Sequence, residues 1–189
     1  MLPSTRKTSM KLINTIAALL CISTAAAAQT SSHSYSFLLR EVDQTWCGYS
    51  KEKAFQEMAE RLTPLETARV TYKSGKPSEI VYEVQAESGD WIVVDTYSIR
   101  PSGMILSRTT VFAQDGIRIV QKGNIAKGRK NPLSLVSAKN PDGTKASLRG
   151  VVYPEVDIKN DLSQFPFLTI AASMQKKGSQ MLCGHLHPR

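Results

Sequence analysis

The sequence predicts an α+β fold, in which an antiparallel, curved β-sheet of six to eight strands, arranged as a meander, packs against one or two helices. Residues 79–122 carry the main observations. Apolar and polar side chains alternate through residues 80–86, which is the period of a half-buried strand. Turn residues recur every ten to thirteen positions, at residues 88–90, 101–103 and 114–116. Because the runs between them are rich in β-branched and aromatic residues, we expect consecutive antiparallel strands.

The first 28 residues have the pattern of a secretory signal peptide. Three basic residues precede an apolar run at residues 12–22, and small residues follow it up to Ala28. The apolar run is shorter than the roughly 20 residues that a transmembrane helix needs. We therefore expect cleavage after Ala28, with Met10 as an alternative start, and a single β-rich domain at residues 29–189. Its location would be periplasmic or secreted, and it would not span a membrane.

The chain before the meander is expected to supply a first strand, a loop and a further strand. Alternation predicts the first strand near residues 34–42, and polar residues predict a loop at 43–48 that carries Trp46 and Cys47. The next strand is expected at 67–73, followed by a turn into the meander.

A helix is predicted between that loop and that strand. Ser50 is a suitable N-cap residue, and apolar residues follow it at helical spacing until Pro64 ends the helix. Phe55 and Met58 are expected to face the sheet.

The second meander strand has an ambiguous pattern. Asp95 lies on the same predicted face as Trp91, Val93 and Tyr97. Either both faces of this strand are partly covered, or Asp95 lies at a bulge or in a cavity. An exposed or hydrogen-bonded structural aspartate is the preferred interpretation over a catalytic carboxylate.

The second half of the chain continues as a hairpin, a helix and a last strand. Residues 133–138 and 145–153 are predicted to pair across a turn at 140–143. Residues 167–177 fit helical spacing, with Gly178 at the stop position, although a strand at 167–173 is an alternative. A short strand or extended tail is expected at 181–186.

Cleavage would leave two cysteines, Cys47 and Cys183. An even cysteine count in an oxidising compartment predicts one disulfide, which would join the start of the domain to its end. On the loop-entropy argument such a cross-link is worth roughly 4 to 5 kcal/mol.

The mature chain is moderately basic, with 21 Lys and Arg against 16 Asp and Glu. The best binding candidate is a basic, glycine-containing loop with the lysines and arginine that follow it. These residues are Lys122, Lys127, Arg129, Lys130, Lys139, Lys145 and Arg149. Such a concentration of positive charge predicts an acidic protein or an anionic envelope component as partner. Nucleic acid is not expected in an exported protein's compartment.

One segment has the residue types of a metal site. In an extended chain, Cys183, His185 and His187 would point to the same face, and thiolate and imidazole groups bind Zn²⁺ or copper. That geometry needs a free thiol, which the predicted disulfide removes, so no metal and no cofactor are predicted. The chain contains no G-x-S-x-G, H-E-x-x-H, P-loop or G-x-G-x-x-G pattern.

These observations favour a non-enzymatic, exported binding domain, such as an inhibitor, an immunity-type protein or an envelope assembly protein. A first alternative is a carrier of an apolar ligand within the curved sheet, lined by residues such as Tyr82, Val84 and Trp91. A second alternative is a metal-dependent hydrolase that uses His185 and His187.

Overall fold

The computed structural model describes residues 32–125 and 133–185. The predicted signal peptide therefore lies outside the described residues, as do Lys127, Arg129, Lys130 and His187.

Nine strands form one antiparallel, unclosed sheet, and two α-helices pack against it. The strands are β1 (Ser32–Arg40), β2 (Thr45–Tyr49), β3 (Glu66–Lys73), β4 (Lys76–Gln85), β5 (Trp91–Arg100), β6 (Gly103–Phe112), β7 (Arg118–Ile125), β8 (Ser134–Lys139) and β9 (Met181–His185). Their order across the sheet is β8-β7-β6-β5-β4-β3-β1-β2-β9. The predicted α+β class is confirmed, with one strand more than the upper end of the expected range.

The meander from β3 to β8 follows the turn signals of the sequence. Each of these strands pairs with the next one along the chain. The β3–β4 hairpin shows why the turn residues matter, since Ser74 and Gly75 both have positive φ angles, of 51° and 74°. A two-residue hairpin turn of this kind matches the twist of its strands, and glycine adopts it without strain.

The predicted loop at residues 43–48 is wrong, because Thr45–Tyr49 forms strand β2. All five residues of β2 are buried, so the strand lacks the alternation by which half-buried strands are recognised. Helices cover both of its faces. A strand that is buried on both faces cannot be distinguished from a buried helical segment by the period of its sequence alone.

Helix α1 (Glu52–Leu62) covers one face of β1 and β2. Its N-cap residue is Lys51 rather than the predicted Ser50, and Thr63 ends it in the left-handed conformation just before Pro64. Phe55 is buried, as expected, in a cluster with Leu38, Cys47 and Tyr49, and Met58 packs at its edge.

Helix α2 (Phe167–Lys177) packs on the opposite face, against β2 and β9. The helix was the preferred prediction here, and Gly178 provides the left-handed C-cap with φ of 64°. Its buried side chains are Phe167, Ile170, Ala171 and Met174. Together with the chain that leads into the helix, they cover the apolar face of the central strands and complete the main core.

The predicted strand at residues 145–153 is wrong. Only Lys145 pairs with β8, through a bridge to Lys139, and the chain then leaves the sheet. Ala146 is buried, but Val152 is 84 % exposed. The segment therefore lacks the further buried side chains that would stabilise it as a strand paired with β8. The turn itself forms as expected, since the Gly143 N–H donates to the carbonyl of Asn140.

Candidate functional site

The β8 side of the sheet combines most of the predicted binding residues that the structure describes. We call β7, β8 and residues 140–149 the open end, because no helix packs on them in the described part of the chain. Lys122 lies on β7, Lys139 ends β8, and Lys145 and Arg149 follow the turn; all four are exposed.

Almost all of the protein's excess positive charge lies in this region of the sequence. Residues 118–149 contain eight Lys and Arg against one Asp. The whole chain has 24 against 16, so everything outside 118–149 has 16 against 15. Five of these eight cations lie among the described residues, all at the open end, where they can attract a partner of opposite charge.

Strand pairing at the open end places three cations in one row. Arg118 of β7 lies opposite Lys139 of β8, and Lys139 lies opposite Lys145. Directly opposite residues share a face, with Cβ atoms about 5 Å apart, and like charges there are destabilising. The ion pairs of the described residues involve Arg40, Lys53, Arg69 and Arg108, and none of them neutralises this row.

Lys122 extends the row along β7. It lies four residues after Arg118 and therefore on the same face of the strand. Ile119 and Ile125 lie on the opposite face, where they are buried. Its neighbours across the sheet, Ser107 and Ser134, carry no charge. The outer face of the open end thus presents four cations without a nearby carboxylate in their rows.

A groove of about 730 Å³ lies between β8 and the chain that follows the turn. Its apolar lining comes from Leu135, Val136 and Ala138 on one side and from Ala146 and Leu148 on the other. The two exposed apolar residues of β8, Leu135 and Val136, remain 52 % and 56 % accessible to solvent. Lys139 and Lys145 also line this groove.

The sequence did not identify Arg118 or the free edge of β8. Arg118 starts a strand, and only the register shows that it faces Lys139. The edge was missed because residues 145–153 were expected to cover it as a complete hairpin partner. Two features of the sequence indicate that the pairing is incomplete. Pro154 directly follows the predicted strand, and no sustained row of apolar residues follows Ala146.

Asp95, the one acid suspected of being buried, is part of a closed ion pair. It is fully buried, and Arg108 donates to its two oxygens from Nε at 2.8 Å and from Nη2 at 2.7 Å. The two residues lie opposite each other on β5 and β6. A bidentate pair of this geometry satisfies both charges, which favours the structural interpretation of Asp95.

Tyr97 links this ion pair to the chain that crosses the core. Its hydroxyl donates to Asp95 at 3.3 Å and accepts from the backbone N–H of Lys159 at 3.1 Å. Burial, with the negative charge of Asp95, raises the pKa of Tyr97 far above its ordinary value. The hydroxyl therefore stays protonated at every physiological pH. Its hydrogen bond with Lys159 attaches the segment at residues 154–165 to β5.

Aromatic side chains pack beside Tyr82, one of the residues that line the ligand site of the carrier hypothesis. The Tyr82 ring lies 6.1 Å from that of Phe167 and 6.4 Å from that of Trp46, and its hydroxyl donates to Glu66. Burial and the Glu66 carboxylate raise the pKa of Tyr82 well beyond its normal range. A pocket of about 310 Å³ lies beside these rings, lined by Trp46, Tyr82 and Phe167 among others.

The predicted disulfide joins Cys47 and Cys183, which are opposite each other on β2 and β9. Cys183 therefore has no thiolate to offer to a metal ion. His185 lies on β9 opposite Thr45, and His187 lies outside the described residues. Across residues 32–125 and 133–185, no three His, Cys, Asp or Glu side chains are grouped so that they could hold a metal ion.

Comparisons with family models, curated proteins and solved structures find no match to this chain. Among the described residues, neither helix has the length and apolar character required to cross a bilayer.

Proposed function

We propose that this chain is an exported, non-enzymatic interaction domain that binds an acidic partner protein at its open end. The single observation that carries the proposal is the row of Arg118, Lys139 and Lys145, which no carboxylate neutralises within the described residues. Like charges held side by side cost stability in the free protein. An acidic partner removes that cost, and it would be attracted from a distance by the concentrated field.

Export is supported by two features of the chain. The first 28 residues have the signal-peptide pattern, and Cys47–Cys183 is a disulfide of the kind that persists in oxidising compartments. A periplasmic or secreted inhibitor, immunity-type protein or envelope assembly protein fits both features.

The binding surface can be tested by removing two charges of the row. We expect Lys139→Gln/Lys145→Gln to weaken the binding of poly-L-glutamate by about tenfold, because charge pairing of the two lysines with the probe is lost. Binding would be measured by calorimetric titration at low ionic strength, where screening is weakest.

The chain offers a matched control on another hairpin. Lys73 and Lys76 also lie opposite each other, at the β3–β4 turn, and both are exposed. Lys73→Gln/Lys76→Gln changes the net charge equally and should leave binding within about twofold of the wild type. Equal losses in both double variants, or no binding of poly-L-glutamate by the wild type, would contradict the proposal.

A further inference from the structure

The edge of β8 that faces away from β7 is only partly paired. At its end, the Ala146 N–H donates to the carbonyl of Ala138 at 3.0 Å, and Lys145 bridges to Lys139. From Ser134 to Ser137, the described residues provide no strand on this side. About four residues, or roughly 13 Å, of strand edge are therefore free to pair.

This edge has little of the protection that proteins usually give to edge strands. Its six residues contain no proline, and Lys139 at the end is its only charge. A bulge is present, because Ser137 pairs with Val120 and Leu135 with Gln121, which leaves Val136 without a partner on β7. Leu135 and Val136 are nevertheless more than half exposed, so the strand presents apolar side chains beside unused backbone groups.

The groove beside this edge has two walls. β8 forms one wall, and Ala146 and Leu148 form the other, because the chain leaves the sheet after its bridge at Lys145. Its volume of about 730 Å³ is within the range of roughly 300 to 1,000 Å³ for ligand sites in proteins. A small apolar molecule would fill the groove but would leave the backbone edge unused.

We infer that the partner contributes an extended segment with alternating apolar and acidic side chains, which adds to the sheet as a strand along β8. This inference rests on the proposed function, because it describes how the acidic partner would be held. Its backbone would pair with Ser134–Ser137, its apolar side chains would contact Leu135 and Leu148, and its acidic side chains would meet Lys139 and Lys145.

A second copy of the chain is a poorer occupant for the same edge. Pairing of two β8 strands would bring two rows of Arg118, Lys139 and Lys145 into one interface. Like charges at an interface oppose association, whereas an acidic segment complements both the apolar lining and the cations.

The inference can be tested with a blocked octapeptide of alternating Val and Glu. Two analogues carry N-methyl groups on alternate amides, so that each blocks one edge of the extended peptide without a change in charge. We expect one analogue to bind at least about tenfold more weakly than the parent, because it loses the edge that pairs with β8. In NMR spectra, the parent peptide should shift the amide signals of residues 134–138.

A variant of the protein tests the same contact from the other side. Val136 is the residue of β8 that has no Cα partner on β7, and Val136→Pro removes its backbone N–H. We expect this variant to weaken octapeptide binding at least fivefold, while Val136→Thr binds normally. If Val136→Pro does not fold, the N-methylated peptides alone decide.

The possible outcomes separate this inference from the proposed function. If both analogues bind as well as the parent while Lys139→Gln/Lys145→Gln still weakens poly-L-glutamate, strand addition is wrong and a charge-based site remains. If neither probe binds, the proposed function itself fails. A wild-type dimer in sedimentation that Val136→Pro dissociates would show a second copy on this edge and overturn the inference.

Discussion

The two ends of the sheet are built in opposite ways. We call β2 and β9, with α1 and α2, the closed end: α1 covers one face of β2, α2 covers the other, and a disulfide joins the last two strands. At the open end, β8 has one neighbouring strand, a partial bridge to Lys145 and two exposed apolar side chains. One end is thus buried on both faces, and the other is accessible.

This difference concerns how much each end contributes to stability. The closed end buries large side chains and cross-links the ends of the described domain, which together stabilise the fold. The open end contributes less buried apolar surface and retains unpaired backbone groups and cations. Loss of side chains should therefore be costly at the closed end and tolerated at the exposed positions of β8 at the open end.

The largest expected effect is at the disulfide of the closed end. Cys47→Ala/Cys183→Ala should lower the free energy of unfolding by about 4 kcal/mol, because the cross-link closes a loop of 136 residues in the unfolded chain. Urea denaturation followed by circular dichroism measures the change. Wild-type protein with a reductant should show a comparable loss, and an unchanged midpoint in both would mean that the two helices hold this end without the disulfide.

An intermediate effect is expected from a single methyl group on β2. A Cβ atom at Gly48 would lie 2.5 Å from Cε1 of Phe37 and 2.7 Å from Sδ of Met174. Gly48→Ala should therefore cost about 1 to 3 kcal/mol through overpacking. Thermal unfolding provides the measurement.

Gly184 on the adjacent strand is the matched control for Gly48. The nearest neighbour of its Cβ would be Cγ1 of Ile170 at 3.6 Å, which is an ordinary contact. Gly184→Ala should change stability by less than about 1 kcal/mol, and a slight gain is expected from the stiffer unfolded chain. Equal losses at both glycines would refute tight packing of α2 on β2 as the cause.

The smallest effect is expected at the open end. Leu135→Ala should change the free energy of unfolding by less than about 0.5 kcal/mol, because the side chain is already half exposed. The same substitution at the fully buried Leu38 of the closed end should cost about 2 to 5 kcal/mol. A loss at Leu135 as large as that at Leu38 would show that the open end is part of the core and remove the contrast between the two ends.

The sequence predicted the meander well because its signals are local. Alternation through residues 80–86 and the turn residues after each strand act over a few positions, and β4 to β7 form where they indicate. Gly178 likewise marked the end of α2. The cysteine pair was predictable because removal of the predicted signal peptide would leave two cysteines, which allow one pairing.

Other parts were not predictable from local signals. Thr45–Tyr49 was assigned to a loop because its strand is buried on both faces and shows no period. The hairpin partner of β8 was expected to continue to residue 153, but pairing stops at Lys145. For the candidate site, Lys139 and Lys145 were identified by charge, whereas Arg118 required the register.

The sequence by itself determined the fold class, the disulfide partners and the location of the positive charge, because composition and short-range period contain that information. The tertiary structure decided which strands lie at the edges, which faces the helices cover and which cations become neighbours. Those properties depend on contacts between residues far apart in the chain, such as Cys47 with Cys183 or Asp95 with Arg108. The free edge of β8 is a property of the same kind, since it exists only because no other described strand reaches it.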